Sequence, residues 1–381
     1  MIHTPTSWRA PRRRVVGAAV LFCSLAAAAS LSATAQQRAA QQRPAQRAEG
    51  AGELHWWPVR DHIWMLVGAG TNIAASVGPD GVLLVNTGNA GTSERVLAAI
   101  KDLQAQLNAF GFLDVMTPQR GGAETRSRFP VNTHAPPKPV RYIINTSSLP
   151  HSVGGNEAVA ASGVTYTGGN VAGTIADSSE GAAVLAHENV LNRMIDRDVP
   201  FGAQPTETYF TAEYKVSTFF NEEGIQIVHV PNAATDGDSF VFFRGSDVIA
   251  AGDLFNMDSF PIIDVESGGS INGVLDGLNA ILKLAIPEFR TEGGTMVIPG
   301  HGRLGDSADV GYYRDMLTII RDQVQALIDE GLTLEQVIEK RPTFGYEARF
   351  GKDTGSWTTK MFIEAVYLSL KEPPAKDPFG G

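Results

Sequence analysis

Residues 145–156 read Asn-Thr-Ser-Ser-Leu-Pro-His-Ser-Val-Gly-Gly-Asn. They follow a short apolar run, Val140 to Ile144, predicted as a buried strand, and precede Glu157 to Ala161, where a helix begins. Paired glycines between strand and helix have two readings. Gly154 and Gly155 allow a tight strand-to-helix turn, or with Asn156 they form an anion-binding loop at a helix N-terminus. Ser147 and Ser148 beside His151 offer a third reading, nucleophile and base. No Gly-x-Ser-x-Gly elbow surrounds them, which counts against it.

Upstream, Ile63 to Val67, Ile73 to Val77 and Val82 to Val85 are β-rich runs separated by glycine-rich or Pro-Asp-Gly turns, a β-meander. Thr92 to Leu107 places Val96, Leu97, Ile100, Leu103 and Leu107 at helical spacing, with Ser93 and Glu94 in the first turn. Phe110 to Pro139 reads as a long loop. Downstream, a strand at 183–185 and a helix at 187–196 precede a hairpin of 214–220 with 225–230. Phe240 to Phe243 pairs with Val248 to Ala251 across Arg-Gly-Ser-Asp. A helix at 271–284 capped by Ser270, a strand at 295–298, and helices at 310–330, 334–340 and 357–371 complete the chain. Strands grouped and interleaved with helices twice over predict an α/β fold with two sheets between outer helices.

Five landmarks stand in fixed order: Val-Leu-Leu-Val-Asn-Thr-Gly at 82–88, the 145–156 stretch, Ala-His-Glu-Asn at 186–189, Ala-Ala-Thr-Asp-Gly-Asp at 233–238 with Ala-Gly-Asp-Leu-Phe at 251–255, and Pro-Gly-His-Gly at 299–302. In order and spacing they resemble the metallo-β-lactamase superfamily over residues 60 to 320. The resemblance implies an αββα four-layer sandwich with metal ligands on the loops at one edge. It also implies hydrolysis, of substrates as varied as β-lactams, thioesters, lactones and phosphodiesters.

The family pattern Thr-His-x-His-x-Asp-His-x-Gly-Gly-Asn keeps its frame here in Thr146, Gly154, Gly155 and Asn156. Its two leading histidines are Ser147 and Leu149, its Asp is His151 and its last His is Ser152. The histidine of His-Thr-Asp-Gly-Asp is Ala234, and Asn86 stands where Asp is usual. Leucine and alanine have no lone pair to give, and serine is a poor zinc ligand at neutral pH, so the three-histidine first site cannot form. Asp253 and His301 match two ligands of the second site, and His151 can replace a third by turning inward. That set suits no metal or one, zinc by default with iron as an alternative. Asp236 or Asp238 would orient or deprotonate a water, and Asp236, Asp253 and His301 are the candidate catalytic residues. The structural alternative makes Asp253 and His301 a hydrogen-bonded pair that orders two loops, with His151 solvated. His187 and His229 read as structural histidines, the latter in the core. His55, His62 and His134 read as surface residues.

The first 35 residues carry Arg9, Arg12, Arg13 and Arg14, an apolar run from Val15 to Leu31, then Ala33-Thr34-Ala35, with no acidic residue. That is the pattern of a secretory signal cleaved near Ala35, by the general or the twin-arginine route, and it predicts a periplasmic or secreted protein with no membrane anchor after cleavage. Residues 36–52 read as a disordered lead-in, 53–372 as one domain, and 373–381 as a flexible tail. The lone cysteine, Cys23, lies in the leader, so the remainder has no disulfide or thiolate ligand. Thirty-one Lys and Arg against 41 Asp and Glu give a net charge of −10, which disfavours nucleic acid or anionic lipid as partners and leaves a small molecule. Asp236, Asp238, Asp253, Asp258 and Asp264 would further give the pocket an acidic rim. Two functions follow from these residues: a degenerate hydrolase acting as a binding or regulatory module, or a mononuclear zinc-dependent hydrolase of an ester, lactone or amide.

Overall fold

Alternation along the strands sorts the core into layers, because successive side chains of a strand point to opposite faces. In the strand Ile63–Val67, Ile63 and Met65 enter one cluster while Trp64 and Leu66 enter another. Leu83 and Val85 part from Val82 and Leu84 in the same way. A strand buried on both faces lies between two layers. The computed structural model describes residues 52–110, 137–165, 181–216, 219–286 and 294–374. The leader, nearly all of the lead-in, most of the 110–139 loop with His134, and most of the tail lie outside the described residues.

The first sheet runs in sequence order through β1 (His55–Arg60), β2 (Ile63–Val67), β3 (Ile73–Gly78), β4 (Gly81–Val85), β5 (Val140–Ile144), β6 (Ala183–His187) and β7 (Glu207–Tyr209). Its first four strands form the expected antiparallel meander, and β4 to β7 are parallel. The second sheet follows the order β13 (Gly305–Asp306), β12 (Met296–His301), β11 (Val248–Asn256), β10 (Ser239–Phe243), β9 (Ile225–His229) and β8 (Glu213–Lys215), with β11 and β12 parallel.

Helices α1 (Ser93–Phe110), α2 (Pro150–Val153) and α3 (Asn156–Ala161) belong to the first half, followed by α4 (Glu188–Asp196). The second half adds α5 (Ile271–Leu284), α6 (Ser307–Asp329), α7 (Leu334–Lys340), α8 (Glu347–Phe350) and α9 (Thr359–Lys371). Val96, Ile100, Leu103 and Leu107 of α1 pack on the outer face of the first sheet with Trp64, Leu66 and Leu84. Leu278 of α5, Leu317 of α6 and Val366 of α9 pack with Phe240, Ile249 and Leu254 of the second. Met65, Leu83, Ile144, Ile227, Val241 and Ile298 fill the space between the sheets. The order is helix, sheet, sheet, helix, the predicted four-layer sandwich. No helix of the described residues is long and apolar enough to cross a membrane.

Ser270 caps α5 as expected, its hydroxyl accepting from the Gly273 amide. Differences from the sequence reading fall at sheet edges. His55 to Arg60 is a strand, with Pro58 tolerated because β1 is an edge and the ladder shifts register there. The expected strand 214–220 stops at Lys215, since Phe220 opens a short 3-10 turn in which Asn221 and Glu222 adopt positive φ. His187 ends β6 and caps α4, its ring accepting from the Asn189 amide. His62 is buried beside Glu223, against the surface placement expected of it.

Candidate metal centre

Parallel strands deliver their following loops to one edge of a sheet, and the candidate residues sit on such loops and strand ends. After β5, Asn145 and Thr146 enter a buried polar lattice. Asn86, in the left-handed region at φ 66°, donates through Nδ2 to Thr146 Oγ1 at 2.8 Å and accepts from the Thr146 amide at 3.0 Å. Asn156 accepts from Thr87 Oγ1 and donates to Asn145 Oδ1 and the Ala203 carbonyl. These bonds fix both ends of the 145–156 stretch without a metal.

The paired glycines answer to close approach. A Cβ on Gly154 would lie 2.6 Å from the Ala90 amide nitrogen, and one on Gly155 2.6 Å from the Thr87 carbonyl. Their own amides donate to Pro150 and Gly88 carbonyls, which spends the donors an anion-binding loop would need.

His151, on α2, turns inward. Its Nε2 lies 2.6 Å from Asp253 Oδ1, and Ser152 Oγ donates to Asp253 Oδ2 at 3.1 Å. The solvated reading of His151 is thereby corrected, and so is the partner in the structural pair: the hydrogen bond to Asp253 comes from His151. Pro at the first helical position and a two-residue bond from the Leu149 amide to Ser147 Oγ set the turn that aims the ring. Asp253 owes its direction to Gly252, whose φ of 55° bends β11 where a Cβ would meet Thr146 Oγ1 at 2.3 Å. His301 ends β12 on a turn held across the sandwich. Thr71 Oγ1 and the Asn72 amide donate to the Gly300 carbonyl, and Asn72 Nδ2 donates to Pro299 and Gly302 carbonyls. The His151 and His301 rings are 5.5 Å apart.

Electrostatics follow from this geometry. Burial would raise Asp253, but the charge and hydrogen bond of His151, His301 and a hydrogen bond from Ser147 outweigh it and hold the carboxyl at about 2. Burial would lower His151, and Asp253 reverses that, raising it above its ordinary value. His301 ends up lowered, with burial stronger than the attraction of Asp253. Asp238 is raised well above the carboxylate range by burial and by Asp253.

One donor atom each from His151, Asp253 and His301 lies within 4.8 Å of the other two. Two imidazoles and a carboxylate suit one divalent ion with open positions. The His151–Asp253 contact is shorter than the roughly 3.3 Å that separates two ligands of a tetrahedral ion, so the pair stands in its proton-bridged form. With 16% of its side chain exposed, His151 is the member with room to yield. The donor set therefore fits the group.

Leu149 and Ala234, which stand where the family pattern has histidines, are buried. Asp236 is taken up by Arg193, with contacts of 2.7 and 3.2 Å, and Asp264 by Arg197 at 2.7 Å, so two of the five expected rim carboxylates are neutralised. Asp238 Oδ2 accepts from the Thr235 hydroxyl at 2.9 Å, while its buried Oδ1 has no hydrogen-bond partner among the described residues. His229 and His187 are buried, with their rings stacked 3.7 Å apart. Sequence reasoning overlooked Ser152 as a donor to Asp253, Asn72 as the brace of His301, and Arg193 and Arg197. A glycine-rich turn at 68–72 was the one signal for the brace.

No protein-family model matches the sequence, and a search of curated proteins gave no match. Among solved structures, a sec-alkylsulfatase from Pseudomonas sp. is 13% identical over 85% of this chain and 51% of its own, with a TM-score of 0.54. A double mutant of the sec-alkylsulfatase PisA1 gives 14% identity, 83% and 50% coverage, and a TM-score of 0.55. The chain thus spans about half the length of these two. The DIM-1 metallo-β-lactamase is 13% identical over 70% of this chain and 98% of its own, with a TM-score of 0.46. Two sheets between helix layers, ligand-type side chains on the loops of one edge and the likeness to the two alkylsulfatase structures agree: the chain has the metallo-β-lactamase fold.

Proposed function

We propose that this chain is a hydrolase with a single-metal centre made by His151, Asp253 and His301, acting on an ester, lactone or amide of a small molecule. The observation that carries the reading is their convergence, with a histidine in a position where the family pattern has Asp reaching the same carboxylate. A bound zinc, or iron, would supply a Lewis acid that activates water near neutral pH. The chain's own residues do the rest. His151 chiefly holds Asp253 ionised, Ser152 and Ser147 orient it, and Asn72 fixes the turn bearing His301. Asp238, buried and raised, is better suited than the arginine-bound Asp236 to hold a proton beside the centre.

Metal analysis of the purified protein should give one ion per chain. His301→Ala should lose both that ion and esterase turnover; turnover that survives chelation and this substitution would refute the reading. The 2.6 Å bond between His151 and Asp253 favours a second reading, a metal-free binding or regulatory module. Absence of stoichiometric metal, with turnover undetected, selects it. On either reading we place the protein in the periplasm or outside the cell, on the strength of the leader. A mature chain beginning at Gln36 in intact-mass measurement is the expected result, and a retained leader contradicts it.

A further inference from the structure

The three positions of the lost imidazoles lie on two loops, Ser147 and Leu149 on one and Ala234 on the other. Among the described residues His151, Asp253 and His301 are the one cluster of metal-ligating type, and these two loops are instead fastened to one helix. Arg193 of α4 forks onto Asp236, Nη2 to Oδ2 at 2.7 Å and Nε to Oδ1 at 3.2 Å, while Asn189 Nδ2 donates to the Asp236 carbonyl at 3.0 Å. Arg197, the residue that caps the C-terminus of α4, donates through Nη1 to the Ser148 carbonyl at 3.1 Å. Its Nη2 donates to Asp264 Oδ2 at 2.7 Å and Ser267 Oγ at 2.9 Å. The 264–267 turn closes the ring, because the Asp264 amide donates to the Ala234 carbonyl at 2.8 Å and the Asp236 amide to the Ser267 carbonyl at 2.9 Å.

We propose that this pair of arginine clasps joins the loops at the vacated first site in place of an ion, and that Arg197 is a positioning residue for His151. Each ion pair is partly exposed and would be weak alone. Their use lies in connection: two arginines four residues apart hold three segments distant in sequence, and a guanidinium fixes directions that an ammonium cannot. Ser148 is the second residue before Pro150, where α2 begins, so fixing its carbonyl fixes the start of the helix that carries His151. The bond from the Ser152 amide to the Leu149 carbonyl leaves little slack between them. The positioning half rests on the single-metal reading above. The clasp itself does not.

Hydrogen exchange separates the two. In metal-free protein, Arg197→Met should speed exchange of peptides covering 145–156 and 262–270 at least about 10-fold and leave β1 to β4 unchanged, with Arg197→Lys between. Arg197→Lys also serves if the methionine variant does not fold. Zinc affinity, by competition with a chromophoric chelator, should fall about 10- to 100-fold in Arg197→Met, as for other residues that orient ligands. Exchange within twofold of the unaltered protein overturns the clasp. Faster exchange with unchanged zinc affinity overturns the positioning role, which a merely structural arginine would not affect. An unaltered protein that binds no zinc overturns the single-metal reading, while faster exchange in Arg197→Met still upholds the clasp.

Discussion

Acid should unfold this protein through a histidine remote from the candidate centre. His62, in the β1–β2 turn, is buried with its Nε2 3.5 Å from Glu223, whose carboxylate accepts from the Ser246 amide and hydroxyl. Burial drives His62 from 6.5 down to about 3. The sign is the reverse of a histidine stabilised by a charge. Above pH 6.5 the imidazole is neutral in both states and contributes nothing. Below it the unfolded chain takes up a proton that the folded chain refuses until about pH 3, so stability falls as pH falls across that window. At about 1.4 kcal/mol per pH unit once unfolded His62 is charged, the loss between pH 7 and pH 5 is about 2 kcal/mol. Glu223, raised chiefly by burial, works the other way over part of the same range. Comparison with His62→Gln isolates the histidine, because Glu223 is common to both proteins. Urea unfolding followed by tryptophan fluorescence, with Trp64 buried in the core as reporter, should show the unaltered protein losing about 2 kcal/mol more than His62→Gln from pH 7 to 5. Parallel pH profiles would refute the argument.

Gly252→Ala should be among the costliest small substitutions in the molecule. It forces a Cβ to 2.3 Å from Thr146 Oγ1 at a positive φ, and a loss of about 2 to 3 kcal/mol in urea unfolding is expected. A change below about 0.5 kcal/mol would show that β11 relaxes there freely. The variant should also weaken zinc binding, since Asp253 is the next residue. The outcomes stated for His301→Ala, Arg197→Met and the mature N-terminus complete the set.

Most of the fold was legible because its signals are local. The meander 63–85, α1 and α5 each carry their own periodicity or cap, and the five motifs fix the order in which loops reach one edge. The centre was legible in its residue types, since Asp253, His301 and His151 are the ligand-type side chains the motifs offer there. Which of them bond was not. The preference of Asp253 for His151 depends on the ring turning inward at Pro150, a tertiary outcome with no periodic signature. The clasps were hidden for a different reason. Arg193 and Arg197 look like ordinary solvated charges on the polar side of a helix, and their partners lie 43 to 70 residues away. Edge strands β1 and β7 were missed because an edge needs only one partner and tolerates proline or brevity.

The pairing of β11 with β12 imposes a rule on this sequence that concerns length and not chemistry. Ala250 faces Ile298, Gly252 faces Pro299 and Asn256 faces His301, so six steps of one strand accompany three of the other. Asp253 meets the centre only because that surplus is kept. Removing one residue between 251 and 255 would present Gly252 or Leu254 to His151, whatever the remaining side chains were. Substitution in this region can therefore be graded, whereas insertion or deletion should be all-or-none. A centre built this way tolerates replacement of a side chain without losing its spacing, because the spacing resides in the number of residues and not in their kind.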